Sequence, residues 1–177
     1  MRTMALYESG HSSGNISIMD LLDDKLKAIS LRDIRLTELV DYVVRGGWPG
    51  SQKLSPNQSQ CIIKDYLLNI PDDMERTDGK KRDIKKVTAL LRALGRVESN
   101  MTFKSNLKRV MEEYSEDDSN ASPASIDTIS DYLDCFNRLF LLEDQPYFEN
   151  KLRSSVKALK NPKRHFADPS LAVAAID

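Results

Sequence analysis

The chain has 177 residues, 40% of them hydrophobic, with 26 Lys and Arg against 27 Asp and Glu, for a formal charge of −1. That length suits one ordinary domain or two very small ones, and the charge balance excludes a global pull toward nucleic acid or membrane, so any basic surface is local. No apolar run approaches the ~18 residues that cross a bilayer, and the N-terminus lacks the charged-then-apolar order of a signal peptide; a soluble cytoplasmic chain without membrane contact is expected.

Residues 1–14 (MRTMALYESGHSSG) show no sustained period and end in small polar residues, which argues a loop. Ser17 caps a short helix to Leu22 with Ile18, Leu21 and Leu22 on one stripe. Leu36, Leu39, Val40, Val43 and Val44 then give a stronger helical stripe from Thr37. It is terminated by Gly46 and Gly47, with Trp48-Pro49-Gly50 closing the turn. A third helix is expected from about Pro56 or Asn57 to Ile70, with Cys61, Ile62, Tyr66, Leu67 and Ile70 inward. It should stop there, because the residue before Pro71 is driven away from helical backbone, and 72–81 reads as a charged loop. Ile84, Val87, Leu90, Leu91 and Leu94 make a fourth helix. Lys80, Lys81, Arg82, Lys85 and Lys86 cluster at its start, where cations meet the positive end of the helix dipole. A fifth helix, 103–114, is capped by Thr102 and buries Phe103, Leu107, Val110 and Tyr114. The acidic, serine-rich run 115–122 is a solvated connector.

The strongest periodic stretch follows, from Ser125 to Phe148. Ile126, Ile129, Leu133, Phe136 and Phe140 recur at steps of three and four, with Asp127, Asp131 and Asp134 off that stripe. Ser122 and Ser125 are N-cap candidates and Pro123 suits a first turn. Beyond Leu142 the chain reads as a turn and a short extended piece to Pro146. A basic tract, Lys151 to Arg164, ends in a short strand at 164–167, and Asp168-Pro169 opens a helix at 170–176. Two short helices, a long one and a strand pair are the order of a winged helix-turn-helix. The expected fold is therefore mainly α. A helical subdomain spans 1–70, a winged helix with a small β wing spans 80–148, and a basic linker with the beginning of a truncated third unit spans 149–177.

Catalytic chemistry finds no residues. The one Gly-Lys pair, Gly79-Lys80, is followed by Lys81 and has Met74 where a phosphate loop needs glycine. Gly47-x-x-Gly50 with Lys53 reads as a helix terminator before a phosphate nest. His11 and His165 lie far apart without a nearby Cys pair, so no metal set is expected. Cys61 and Cys135 sit in apolar stripes and read as buried free thiols in a reducing compartment; a nucleophilic pairing with His165 has no cation to lower a thiol pKa. The carboxylate pairs Asp72/Asp73, Glu112/Glu113 and Asp117/Asp118 read as solvated faces. No small-molecule substrate is indicated.

Nucleic acid is a second reading. The outward residues of the long helix are Asp127, Asp131, Asp134, Asn137 and Arg138, and three acids against one Arg disfavour a phosphate backbone there. Phosphate contacts would fall to Lys85, Lys86, Lys160, Lys163 and Arg164, while Asp127, Asp131, Asp134 and Arg138 would serve protein docking.

The blocks MALYESGHSSGNISIMDLL, LTELVDYVVRGGWPG, ASIDTISDYLDCFNRLFLLEDQPYF and KNPKRHFADPSLAVAAI resemble, in the same order, a region catalogued as a domain of unknown function, C-terminal to the core of predicted prokaryotic AAA+ superfamily ATPases. The resemblance covers nearly the whole chain. It implies a phosphate-loop ATPase domain before the equivalent of Met1 and a nuclease-like module after that of Asp177. By the resemblance, Leu6–Gly14 would belong to the tail of the ATPase domain. Val44–Pro49 would be a lid-like helix end, with Arg45 near a nucleotide; ATP and magnesium are implied only in a full-length relative. The expected function is a non-catalytic, regulatory or protein-docking winged-helix segment of an ATP-binding protein, whose partner is another protein or the remainder of the ATPase. The alternative is a DNA-binding winged helix that uses the basic residues of its wing and linker.

Overall fold

The computed structural model describes residues 3–25, 33–114, 124–146 and 161–177. Seven α-helices occur among them: α1 (Ile18–Leu22), α2 (Leu36–Arg45), α3 (Pro56–Asp78), α4 (Ile84–Arg96), α5 (Lys104–Glu113), α6 (Ile126–Arg138) and α7 (Pro169–Ile176), with a 3-10 turn at Pro49–Ser51 after α2.

Local signals start and stop most of these helices. The Ser17 hydroxyl accepts the backbone N–H groups of Met19 and Asp20, and the Ser125 hydroxyl accepts that of Thr128. Ser55 and Gln58 form a reciprocal capping box with Pro56 in the first turn of α3. Asp83 accepts from the backbone of Lys85 and Lys86, so a carboxylate answers both the dipole and the cations at the start of α4. Gly46, at φ +71°, closes α2 by donating to the Tyr42 carbonyl.

The core is assembled from α3, α4, α5, α6 and α7. Ile63, Ile70, Met74, Leu90, Leu94, Leu107, Ile129, Phe136 and Leu171 are all at most 2% exposed. The Leu-Ala-Val-Ala-Ala sequence of α7 is apolar all round, as a helix enclosed by others must be; it packs against α2, α3 and α4. Gly95 permits the close crossing of α4 and α7, since a Cβ there would lie 2.7 Å from Ile176 Cγ2 and 3.0 Å from the Ala172 carbonyl oxygen.

Several expectations fall here. The third helix does not stop before Pro71 but runs to Asp78, absorbing most of the expected loop at 72–81. Proline removes the bond to the carbonyl of Leu67, yet Ile70, Pro71 and Met74 are buried around it, and that apolar contact holds the helix together. The buried stripe of α3 is Ile63, Leu67, Ile70 and Met74; Ile62 is 52% exposed and Cys61 is exposed too. Phe103 is an exposed N-cap without a side-chain bond, in place of a buried first-turn residue. Phe140 lies beyond the end of α6 in a left-handed conformation (φ +56°) and is exposed.

The winged helix-turn-helix is also overturned. Among the described residues no strand forms; only the isolated antiparallel bridges Met101 with Lys163, Leu142 with Phe166, and Gln145 with Lys163 are present. Backbone hydrogen bonds join 141–145 to 163–167 through Glu143, Gln145, Lys163 and Ala167, and Pro146 and Pro162, opposite each other in that register and without N–H groups, end the pairing. Among the described residues the fold is helical, without a β wing.

Candidate functional site

The end of α2 is tied to the beginning of α7 by a buried polar cluster. Asp168, 3% exposed, caps α7 by accepting the Ser170 N–H at 3.0 Å, and its other oxygen accepts the Gly47 N–H at 2.8 Å. Ser170 Oγ donates to Asp168 and accepts the Trp48 indole N–H at 3.0 Å. The Gln60 amide donates to the carbonyls of Val44 and Ser170. Met4 joins from the N-terminal segment, its N–H donating to the Gly47 carbonyl at 2.7 Å. Two glycines are required here. A Cβ on Gly47 would lie 2.2 Å from the Met4 carbonyl oxygen, and one on Gly46 would meet Asp168 and Ser170.

Beside this joint lies a cleft of about 270 Å³ between residues 3–11, α2 and the start of α7, with an apolar lining that includes Met4, Leu6, Leu39 and Val43. Its polar wall holds His11, stacked on Tyr42 with ring centroids 4.4 Å apart, and Arg45. Arg45 Nε is buried without a hydrogen-bond partner, and the guanidinium makes no ion pair among the described residues. The carboxylate that shares the cleft lining with it, Asp168, is engaged as above.

The cleft opens onto an uncovered surface. On α2, Leu36 is 75% exposed, Leu39 47%, Val40 50% and Val43 37%, and the helix buries none of its residues below the level of the core. The sequence showed this stripe only as an apolar helical face, because periodicity reports which side of a helix is apolar and not whether anything covers it. Ile18, Leu21 and Leu22 of α1 are likewise exposed.

The residues singled out from sequence go to other places. Asp131 receives Arg82 at 3.0 Å and Lys80 at 3.6 Å, and Arg138 approaches Asp78 at 3.5 Å. Both serve an ion cluster centred on Arg82, whose side chain is 2% exposed and forks onto Asp78 at 2.7 and 2.8 Å. The Arg82 guanidinium holds the Asp78 carboxyl well below the usual carboxylate range. Asp127 and Asp134 are exposed on α6. Lys85 and Lys86 stand in the first turn of α4. Lys163 occupies the bridges to Met101 and Gln145, and Arg164 is buried against Asp144 at 2.7 Å. Lys160 lies outside the described residues. The structure thus disperses the basic set.

His165 Nδ1 lies 3.2 Å from both Glu98 Oε1 and Ser99 Oγ. A serine nucleophile needs its acid and its hydroxyl on opposite ring nitrogens; both on one nitrogen give no proton relay. Among the described residues no group of three or more His, Cys, Asp or Glu could hold a metal ion, and no helix is long and apolar enough to cross a membrane.

Residues 36–177 match the model of a domain of unknown function, DUF8612. No curated protein and no solved structure matches the chain. The matched description names no ATPase, and no β wing forms among the described residues. Together these overturn the resemblance to AAA+ ATPases, the ATP-binding winged-helix segment and the DNA-binding winged helix alike. With them goes a place for Arg45 beside a nucleotide.

Proposed function

The chain belongs to the DUF8612 family, and from the surface of α2 we propose that it is a protein-association domain without catalytic chemistry of its own. One observation carries the reading: a helix with a full apolar stripe, held rigidly at its C-terminal end by the Gly46–Asp168 joint, presents that stripe to solvent. Scattered apolar residues on a surface need no explanation, whereas four on one helical face mark an interaction site. The face lies within the matched family region, which begins at Leu36.

Covering the exposed parts of Leu36, Leu39, Val40 and Val43 would contribute on the order of 4–6 kcal/mol. The costs of association consume much of that, so such a stripe gives a partner its position and needs further contacts to give it affinity. The supporting experiment is selection of a displayed library of randomised helical peptides on the full chain, counter-selected on the Leu39→Asp variant. Enrichment of peptides with an apolar stripe, lost with Leu39→Asp, is expected. Failure to enrich any stripe, with the variant indistinguishable from the parent, would overturn the reading.

A further inference from the structure

The α2 face has a neighbour that says what kind of partner it fits. Leu39 and Val43 belong both to the exposed stripe and to the lining of the cleft, so the two are one continuous surface. At the cleft end of that surface stands Arg45, half-buried, its Nε withdrawn from solvent and unpartnered. A guanidinium stays charged at any physiological pH and offers five donors in a planar fork that matches a carboxylate. Only Nε of Arg45 is buried without a partner; its two terminal nitrogens are not, and they are open to a carboxylate brought from outside.

Resting on the association reading, we propose that the face receives an amphipathic helix of another protein, and that a Glu or Asp of that helix enters the cleft and pairs with Arg45.

Two other occupants fit less well. In a second copy of this chain, the apolar stripe is symmetric about the midpoint of Leu39 and Val40, so two α2 helices could lie antiparallel with Leu36 against Val43. That arrangement sets Arg45 opposite Ile34 of the other copy and leaves the cation unmatched. Within the chain, α1 has an apolar stripe of its own, but Ile18, Leu21 and Leu22 are exposed and so do not cover α2. A foreign helix that brings its own acid satisfies both halves of the surface. The apolar lining of the cleft would keep water from the pair, and Asp168, the carboxylate on the same wall, already accepts from Gly47 and Ser170 and so leaves Arg45 to the incoming acid.

The test extends the peptide selection to the Arg45→Glu chain and then measures the selected sequences by fluorescence anisotropy. Peptides selected on the parent are expected to carry an acid at a fixed offset from the apolar stripe, and replacing it by Gln should weaken binding about tenfold. Peptides selected on Arg45→Glu should carry Lys or Arg at the same offset. Should Arg45→Glu fail to fold, as its circular dichroism would show, Arg45→Gln is used and should abolish the preference for Glu over Gln. Apolar peptides with no charge preference, equally tight on both chains, would overturn the acid anchor while leaving the association reading intact. No enriched stripe at all would remove both. A dimer of the parent chain in sedimentation, lost with Leu39→Asp, would overturn the foreign helix in favour of a second copy.

Discussion

Gly46 is pressed against Asp168: a Cβ on the glycine would lie 2.4 Å from the carboxylate Oδ1, and its backbone stands at φ +71°. The same carboxylate caps α7 and holds Gly47, so a helix terminator and a helix N-cap distant in sequence form one joint. Replacing Gly46 by Ala introduces both a forbidden conformation and an overlap. The expected loss is about 2–5 kcal/mol in urea unfolding, and a loss below about 1 kcal/mol would show that the joint is not closed in solution.

The Arg82 cluster predicts an acid response. Hydrogen bonding from Arg82 depresses the folded-state pKa of Asp78 below the unfolded value of about 4. Its stabilising contribution is therefore present above about pH 4 and is lost as pH falls toward the folded-state value. Urea midpoints of the parent chain should drop between about pH 5 and pH 2. The Asp78→Asn chain should be less stable at neutral pH and show a flatter profile; parallel curves for the two would exclude Asp78 as the source.

The register of α3 is tested by adjacent residues. Ile63 is 2% exposed and Ile62 is 52% exposed. Ile63→Ala should cost about 2–5 kcal/mol, whereas Ile62→Ala should stay within about 1 kcal/mol. Equal losses would mean that Cys61 and Ile62 face inward after all.

On and after α6 the same contrast separates Phe136, fully buried, from Phe140, exposed beyond the helix end. Phe136→Ala should lose about 3–5 kcal/mol. Phe140→Gly, which relieves a left-handed backbone, should be neutral or stabilising by up to about 1 kcal/mol. A destabilisation comparable to Phe136→Ala would place Phe140 in the core.

The thiols report on burial directly. Cys61 is exposed and Cys135 is 0% exposed, with burial pushing its pKa up. A disulfide reagent at mild alkaline pH should modify one thiol per folded chain and the second only on unfolding. Two fast thiols, or none, would contradict the packing of α3 and α6.

How far the sequence reached follows from the range of each cause. Ser17, Ser125, the Asp168-Pro169 pair and Gly46 were legible because capping and left-handed termination act within a few residues. The apolar periods of α4 and α6 were legible for the same reason. What failed depended on partners remote in sequence. Pro71 reads as a stop, but the helix continues because the surrounding core compensates the missing bond. Nor were the ion pairs that Asp131 and Arg138 make with the cluster around Arg82 legible, although both side chains keep part of their outward exposure. The segments flanking Pro146 and Lys163 read as a strand pair and form only single bridges.

The sequence by itself determined where most helices begin and which side of each is apolar, since both depend on short-range backbone chemistry. Tertiary structure alone decided which of those apolar sides is covered. The stripe of α6 is largely enclosed, while that of α2 is left open beside Arg45, because burial depends on what the rest of the chain brings alongside.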